Sequence, residues 1–309
     1  PISIIMIDVN GLKLFNDTYG HQKGDQLLIK TAEILNRSTR TEDITARWAG
    51  DEFVILLPNT NHKEADKIVN RINKICKETD GEEIVVSLAV GKAVKENMEE
   101  SILDVLEEAD QNMYQEKSEK SRNAQKKIIK NIIKELAKKS CENTEHLQRM
   151  KELAFGFADY IDLNKNEREE LVLLAEIHDL GKITVDEQVL KKETKLSNSE
   201  WNQIKEHSEQ GYKIASASKE FASQAKLILH HHEHWDGSGY PAQLKHEEIP
   251  FLSRIIAVID AYDVMRNKSI YSPKLSRPEA ITELKRCAGS QFDPFLTKKF
   301  INFINTKKR

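Results

Sequence analysis

The clearest chemical signal in this 309-residue sequence is a set of histidines that lie beside acidic residues in its second half. Eight of the ten histidines follow residue 140, and the pair His178-Asp179 and the run His230-His231-His232 form short clusters. Imidazole nitrogens and carboxylate oxygens together suit divalent first-row metal ions. A buried histidine bonded to the backbone, or a surface histidine tract, would explain either cluster alone. Together the clusters predict a metal centre.

A second acidic pair lies near the N-terminus. Asp8 follows the apolar run 2–7, and Asp51 stands just ahead of the β-rich run 53–57. If these runs pair as strands, the two carboxylates meet at one edge of the sheet. There they suit a magnesium ion that is also bound by triphosphate oxygens. Solvated loop acids are the alternative.

The second half resembles the HD-GYP family of cyclic di-GMP phosphodiesterases over roughly residues 140–305. The resemblance rests on HDxGK at 178–182, HHExxDGxGYP at 231–241 and DAYD at 260–263, together with KEHSEQG around His207 and GSQFDP at 289–294. It implies hydrolysis of cyclic di-GMP to pGpG, with further cleavage to GMP left open. The implied centre holds two or three divalent cations, with iron favoured and manganese as the alternative.

The resemblance also assigns roles to individual residues. The predicted catalytic residues are His178, Asp179, which would bridge two cations, and Lys182, which would hold a substrate phosphate. Bound cations would activate water at neutral pH and neutralise the phosphodiester oxygens. Glu142, four residues before His146, would share its helix face and accompany a third cation, with a surface glutamate as the alternative. The predicted metal ligands are Glu142, His146, His178, Asp179, His207, His231, His232 and Asp260.

Substrate contacts are predicted at the glycine-rich turn and after the DAYD motif. Glycine in such a turn lets the backbone approach a ligand closely. Family members usually read DAYDAxTSDRPYR, but here Ser269 and Ser272 replace two basic residues that ordinarily help to hold phosphate. Arg266, Lys268 and Lys274 would substitute as point charges. The predicted substrate-binding residues are Lys182, Gly239, Tyr240, Pro241, Asp263, Arg266 and Lys268.

Residues 1–123 resemble the GGDEF family of diguanylate cyclases, through DVNGLKLFNDTYGHQKGD at 8–25, AGDEF at 49–53 and NMYQEK at 112–117. Asp25 favours guanine over adenine, because a carboxylate accepts from both N1–H and the 2-amino group. Ala49 replaces the first glycine of the signature, so both an active cyclase and a regulatory GTP-binding domain stay open. The resemblance implies magnesium at Asp8 and Asp51, GTP contacts at Asn16, Asp25 and Lys117, and an inhibitory product site at Arg40 and Asp43.

The elements that position these residues follow two unlike patterns. Up to residue 115, β-rich and helical runs alternate at 2–7, 25–37, 53–57, 63–77, 84–90 and 102–114. From 142 to 303 helical runs dominate, with breaks at Gly181, 237–241, Pro250, Pro273 and Pro278. The predicted organisation is multidomain, α/β plus all-α: a GGDEF domain at 1–123 that lacks its family's opening helix, a connecting helix at 124–140, and an all-α HD-GYP bundle at 141–309.

Composition narrows the partners. The 47 basic and 50 acidic residues are well mixed, which argues against a nucleic-acid polymer as partner. Three cysteines without CxxC spacing predict neither a disulfide framework nor a thiolate zinc site. No apolar run is long enough to span a bilayer. We therefore expect a cytoplasmic location and no membrane contact from these residues, with an upstream region as the place for a sensor or membrane anchor.

The sequence leaves alternatives for the oligomeric state and for the activity. The apolar stripe Ile128, Ile129, Ile132, Ile133 and Leu136 packs within the chain or pairs with a second chain as a coiled coil. A homodimer is expected for cyclase work, because two GTP molecules must meet between two GGDEF domains. Two other readings stay open: a cyclase with an impaired hydrolase, or a non-catalytic cyclic-dinucleotide receptor.

Overall fold

The computed structural model describes residues 1–79, 84–139, 144–267 and 274–306, which fall into two compact units, 1–129 and 130–309. As predicted, the first unit is an α/β domain, and its sheet has four strands. Its elements are β1 (Ile2–Val9), α1 (Leu12–Tyr19), α2 (His21–Ser38), β2 (Ile44–Ala49), β3 (Glu52–Pro58), α3 (His62–Glu78), β4 (Leu88–Lys95) and α4 (Ile102–Lys139), the last of which runs on into the second unit.

Strand β1 lies between β3 and β4, and its side chains are buried on both faces of the sheet. The strand order is β2-β3-β1-β4, and all pairs are antiparallel. Ile5 and Ile7 pack in the core that α2 and α3 cover, whereas Ile4 and Met6 pack with residues of α4 on the other face. Burying each of these side chains contributes about 1.5–3 kcal/mol. The pairing of β1 with β3 places Asp8 opposite Glu52, as the predicted meeting of the two acidic segments requires.

Several predicted boundaries in this unit were wrong. The strand expected at 84–90 begins at Leu88 and ends at Lys95, because β1 ends at Val9, which pairs with Leu88. The helix expected to end at residue 114 continues to Lys139, so the predicted connector is the last part of α4. Within it, Ile129 and Ile132 are fully buried in a single chain. Helix α1 and strand β2 were not predicted.

The second unit is all-helical, as predicted, and no strand follows Lys95 in the described ranges. No helix among the described residues is long and apolar enough to span a bilayer. Pro278 does not break a helix, since it lies in the first turn of α12, where proline is tolerated; Pro273 lies outside the described residues. The helices are α5 (Thr144–Tyr160), α6 (Lys165–Ile177), α7 (Glu187–Leu190), α8 (Asn198–Lys205), α9 (His207–Ser216), α10 (Ala225–Leu229), α11 (Phe251–Arg266), α12 (Arg277–Cys287) and α13 (Pro294–Thr306).

Helix α6 and the 3₁₀ segment that follows it (Leu180–Thr184) carry the HDxGK motif into the middle of this bundle. Asn164 and Glu167 form a capping box at the start of α6, and its buried face ends at Ile177. The 3₁₀ segment then lies against α9. A Cβ on Gly181 would lie 1.9 Å from the His207 carbonyl oxygen and 2.5 Å from the Gly211 nitrogen. Only glycine permits this approach, which brings the motif beside His207.

We therefore predict that Gly181→Ala destabilises the helical unit by about 1–3 kcal/mol, because the added methyl must push the 3₁₀ segment away from the backbone of α9. Urea unfolding of the full chain, followed by circular dichroism, measures the change. Glu209→Ala, on the exposed side of α9, is the matched control and should change the free energy of unfolding by less than about 0.5 kcal/mol. Equal stability of the two variants would contradict the packing argument.

Candidate metal centre

Two groups of ligand-type side chains meet in the helical unit. The first contains Asp179, His207, His231 and His232, and the second contains His146, His178 and Asp260. Within each group, one ligand atom per residue lies within 4.8 Å of all the others, which is compact enough to surround a single cation. The structure thus brings together seven of the eight predicted ligands. The eighth, Glu142, lies outside the described residues.

The adjacent residues His178 and Asp179 belong to different groups. Helix α6 ends at Ile177, and the chain turns into the 3₁₀ segment at this point, so the two side chains diverge. His178 Nε2 nevertheless lies 3.2 Å from Asp179 Oδ2, so the groups are neighbours. On the other side, Asp179 Oδ1 lies 3.2 Å from His207 Nε2 and 3.8 Å from His231 Nε2. Asp179 therefore stands where a carboxylate shared by two cations would stand.

The imidazole rings are oriented by hydrogen bonds on their far side. Nδ1 of His207 lies 2.6 Å from the Ile204 carbonyl, and Nδ1 of His231 lies 2.5 Å from the Ile228 carbonyl. A carbonyl oxygen only accepts, so Nδ1 carries the proton and Nε2 carries the lone pair. The Nε2 atoms of His207 and His231 face each other at 3.3 Å. Two lone pairs at this distance repel unless a cation lies between them, so the donor set fits a metal ion.

Burial favours the neutral form of two histidines of the first group. It lowers the pKa of His231 and of His232 well below the usual value, and neighbouring imidazoles lower it further. For Asp179, burial alone would raise the pKa, but Lys182, His178 and His207 lower it well below its usual value. The neutral imidazoles of His231 and His232 and the ionised carboxylate of Asp179 are the protonation states that metal binding requires.

The glycine-rich turn folds back onto its own beginning. The buried Glu233 accepts hydrogen bonds from the backbone N–H groups of Ala242 (2.7 Å) and Leu244 (3.1 Å). A Cβ on Gly239 would lie 2.2 Å from the His234 nitrogen, so this position needs glycine. The closed turn stacks Tyr240 on His232, with ring centroids 5.0 Å apart and planes inclined by 28°. Pro241 follows in the same turn, so the signature sits against one candidate ligand.

The other predicted substrate-binding residues have different surroundings. Lys182 Nζ lies 2.8 Å from Asp179 Oδ2, at the first group. Arg266 ends α11 and lines a cavity of about 260 Å³ with Arg149 and Lys274. Asp263 is only 2% exposed and is bonded to His146 and Arg149. Lys268, like Ser269 and Ser272, lies outside the described residues.

In the α/β unit, the predicted magnesium ligands lie at the end of β1. The Val9 N–H donates to the Asp51 carbonyl at 3.0 Å, which brings the Asp51 backbone beside Asp8. Asp8 is almost completely buried, and Lys117 Nζ lies 2.5 Å from its Oδ2. The pKa of Asp8 is raised overall, chiefly because the carboxyl group is buried. The ion pair with Lys117 lowers it, and the charge of Asp51 raises it further. The structure therefore places the predicted phosphate contact, Lys117, on a predicted magnesium ligand.

The predicted guanine contacts are close to each other. The Asn16 amide lies against Gly24, where a Cβ would approach its Oδ1 to 1.7 Å, and Asp25 is the next residue. Asp25 lines a cavity of about 470 Å³ between α2 and β2, together with Leu28 and Phe53. Ala49 lies in β2 without a positive φ, and only the next residue, Gly50, has one (44°). The alanine therefore needs no positive φ, although the pairing of β2 with β3 is irregular between Arg47 and Ala49.

The predicted inhibitory site is a surface turn. The Arg40 N–H donates to Asp43 Oδ2 at 2.7 Å, and the guanidinium of Arg40 lies 3.8 Å from Glu42 Oε1. About half of the Arg40 side chain is exposed.

Sequence reasoning missed three residues that shape these sites. Glu52 lies opposite Asp8 in the sheet, and burial and then Asp8 raise its pKa. Glu233 holds the glycine-rich turn closed. It belongs to the HHExxDGxGYP motif, but no role was predicted for it from the sequence. Arg149 forms two hydrogen bonds to Asp263, and its position three residues after His146 on one helix was the available signal.

Comparisons with known proteins match the two parts of the chain to two different families. The HD domain family model matches residues 127–296, more than half of the chain, and the diguanylate cyclase GGDEF domain model matches residues 1–124. A cyclic di-GMP phosphodiesterase of Thermotoga maritima is 32% identical over 175 residues, which cover 56% of this chain and 47% of that protein. A 3'3'-cGAMP-specific phosphodiesterase 2 of Vibrio cholerae is 30% identical over 179 residues (57% and 34%).

The α/β unit has a relative of its own. Diguanylate cyclase A of Treponema denticola is 38% identical over 120 residues, which cover 38% of this chain and 32% of that protein. The chain therefore spans less than half the length of each of these three relatives.

The two groups predict separable metal binding. His231→Ala should remove the cation of the first group, and His146→Ala should remove that of the second, because each loses one ligand of three or four. Metal analysis of the purified full chain gives the number of ions per protein. His230→Ala is the control, since this histidine lies in the same run but outside both groups, with Nδ1 3.5 Å from Glu233. An equal loss in His230→Ala and His231→Ala would mean that the run binds metal as a surface tract.

The low pKa of His231 and His232 predicts that the metal-free protein loses stability in mild acid. Below the ordinary histidine value near 6.5, the unfolded chain takes up protons that the folded site refuses. The free energy of unfolding should therefore fall by up to about 1.4 kcal/mol per histidine between pH 7.5 and 5.5. Urea unfolding of chelator-treated protein at the two pH values measures this. A variant with glutamine at both positions should show a smaller fall in the free energy of unfolding. A fall as large as in the wild-type protein would refute the assignment of the pH dependence to these two histidines.

Proposed function

Since the chain belongs to the HD domain family and carries a GGDEF domain ahead of the HD domain, we propose that it is a metal-dependent phosphodiesterase that hydrolyses cyclic di-GMP. The observation that carries this proposal is the division of His178 and Asp179 between two adjacent ligand groups. The Thermotoga maritima relative is a cyclic di-GMP phosphodiesterase, which supports the choice of substrate. The donor set of nitrogen and oxygen without sulfur is compatible with iron, manganese or another divalent ion. Iron is favoured because of the resemblance to the HD-GYP family, and manganese is the alternative.

The reaction adds water across one phosphodiester bond of the ring. The water oxygen forms a bond to phosphorus, the bond to the ribose 3' oxygen breaks, and that oxygen leaves with a proton, which gives linear pGpG. Bound divalent cations would supply nucleophilic water at neutral pH and offset the phosphate charge. A second hydrolysis of pGpG would give GMP.

The residues of this chain would position the substrate within that centre. Asp179 holds its carboxylate between the two groups, and Lys182 brings a positive charge within 2.8 Å of it, where a phosphate oxygen would lie. Tyr240 covers His232 and excludes water from that side of the ring. Arg266 and Lys274 line the neighbouring cavity and would balance the second phosphate in place of the basic residues that Ser269 and Ser272 replace.

For the GGDEF domain we propose GTP binding, with magnesium at Asp8 and Asp51 and guanine at Asn16 and Asp25. Lys117 would move from Asp8 to a triphosphate oxygen when magnesium enters, because both cations need the same carboxylate. Arg40 and Asp43 would form an inhibitory product site. The domain would make cyclic di-GMP in a homodimer, or it would bind GTP and regulate the hydrolase.

A second candidate substrate is a mixed purine cyclic dinucleotide. The Vibrio cholerae relative is a 3'3'-cGAMP-specific phosphodiesterase at 30% identity, close to the 32% of the cyclic di-GMP relative. Assays with the two dinucleotides in parallel distinguish these candidates by the ratio of their kcat/KM values.

We predict that Asp179→Asn lowers kcat on cyclic di-GMP by about 100-fold or more, since removal of the shared charge costs several kcal/mol of transition-state stabilisation. Lys182→Gln should instead raise KM by about 10-fold, through loss of a charged hydrogen bond to phosphate. Product chromatography of the metal-loaded full chain measures pGpG and GMP. His230→Ala should retain wild-type turnover.

The same assay separates the other readings. Metal-loaded wild-type protein that leaves both dinucleotides intact would refute the hydrolase and favour the receptor. In Asp179→Asn, supplied with GTP and magnesium, cyclic di-GMP would accumulate if the GGDEF domain is a cyclase, because the hydrolase no longer removes it.

A further inference from the structure

Four of the candidate metal-binding histidines are oriented through Nδ1, but not by the same kind of partner. His178, His207 and His231 each have Nδ1 beside the carbonyl oxygen of the residue three positions earlier, at 3.3, 2.6 and 2.5 Å. His146 differs, because its Nδ1 lies 2.7 Å from the carboxylate oxygen Oδ2 of Asp263. The backbone orients three rings, whereas a side chain on another helix orients the fourth.

Asp263 is itself held firmly. Arg149 donates from Nε to Oδ1 at 2.7 Å and from Nη2 to Oδ2 at 2.9 Å, and Asn267 donates to Oδ1 at 3.0 Å. Two parallel bonds from one guanidinium fix a carboxylate in both position and plane. With the bond from His146, the carboxylate receives four hydrogen bonds while being only 2% exposed. Because the protein's own groups occupy both carboxylate oxygens, few acceptor positions remain for hydrogen bonds from a substrate.

The four residues form two matching pairs on facing helices. His146 and Arg149 are three residues apart on α5, and Asp260 and Asp263 are three residues apart on α11, so each pair lies on one helix face. Asp260 belongs to the same ligand group as His146, with its Oδ1 3.9 Å from His146 Nε2. Helix α11 therefore serves this group twice, through a ligand at Asp260 and through an orienting carboxylate at Asp263.

We infer that Asp263 is a positioning residue for the second metal site, that it fixes the Nδ1–H tautomer of His146, and that Arg149 holds it in place. This replaces the sequence-based role of Asp263 in substrate binding. The inference rests on the proposed function for the identity of the site. Its consequence is specific to one cation: loss of Asp263 weakens the group of His146, His178 and Asp260 and leaves the group of Asp179, His207, His231 and His232 unchanged.

The first test is the tautomer of His146 in the metal-free full chain, measured by long-range ¹H–¹⁵N correlation spectra. We expect Nδ1–H and a lone pair at Nε2 in the wild-type protein, and a shift toward Nε2–H in Asp263→Ala, where the acceptor is gone. His207 provides the internal control, because the Ile204 carbonyl holds its tautomer in both proteins. An Nε2–H tautomer of His146 in the wild-type protein would overturn the inference without any variant.

The second test is metal affinity, measured by titrating the metal-free full chain with Mn²⁺ in competition with a chelator. Asp263→Ala should raise the dissociation constant of one ion by about 10–100-fold and leave the other unchanged. Arg149→Lys should weaken the same ion to a smaller extent, because lysine keeps the charge but loses the fork. Glu152→Gln, an exposed residue one turn further along α5, is the matched control.

These readouts separate positioning from mere structural support. A purely structural role predicts a lower unfolding temperature with the tautomer of His146 and both affinities preserved, and that result would overturn the inference. They also separate it from the proposed function. If the protein binds two ions as described but cleaves no cyclic dinucleotide, the function fails and the positioning role stands. If hydrolysis is observed but Asp263→Ala binds both ions normally, only the positioning role fails.

Discussion

A histidine holds a cation only with a nitrogen that carries a lone pair, and in the helical unit several buried rings must turn that nitrogen toward common points. The structure meets this requirement by giving the opposite nitrogen an acceptor. Nδ1 of His207 and His231 is bonded to a carbonyl of the preceding turn, so the ring orientation follows from the helix end itself. Desolvation also lowers the pKa of His231 and His232, which favours their neutral form. The direction of the rings is thus set by the protein's own groups.

This arrangement depends on how closely the chain segments approach one another. The rings come from the end of α6, the start of α9 and the end of α10, and these ends meet only because Gly181 lets the 3₁₀ segment touch the backbone of α9. A Cβ on Gly211 would likewise lie 2.7 Å from Ile228, the residue whose carbonyl orients His231. Glycine at these positions is thus part of the site, although it offers no ligand.

The sequence singled out most of the candidate ligands that the structure groups together, because they stand in short motifs whose residue types are themselves the signal. Its failures have physical reasons. Residues 84–87 are rich in β-branched side chains, yet they are not a strand, because β1 ends at Val9, which pairs with Leu88. No glycine or proline interrupts residues 102–139, so nothing in the sequence ends α4 where the domain was expected to end. The hydrogen bonds between Asp263 and Arg149 were not predicted, because the two residues are 114 positions apart in the sequence.

Both units pair a buried carboxylate with a lysine, and Asp179 also faces imidazole nitrogens. In the α/β unit, Asp8 is nearly inaccessible, and Lys117 Nζ lies 2.5 Å from its Oδ2. In the helical unit, Asp179 Oδ2 lies 2.8 Å from Lys182 Nζ, while its Oδ1 faces the Nε2 atoms of His207 and His231. A divalent cation at Asp8 would compete with Lys117 for the carboxylate, whereas one at Asp179 Oδ1 would enter among imidazole nitrogens that repel each other until a cation binds between them.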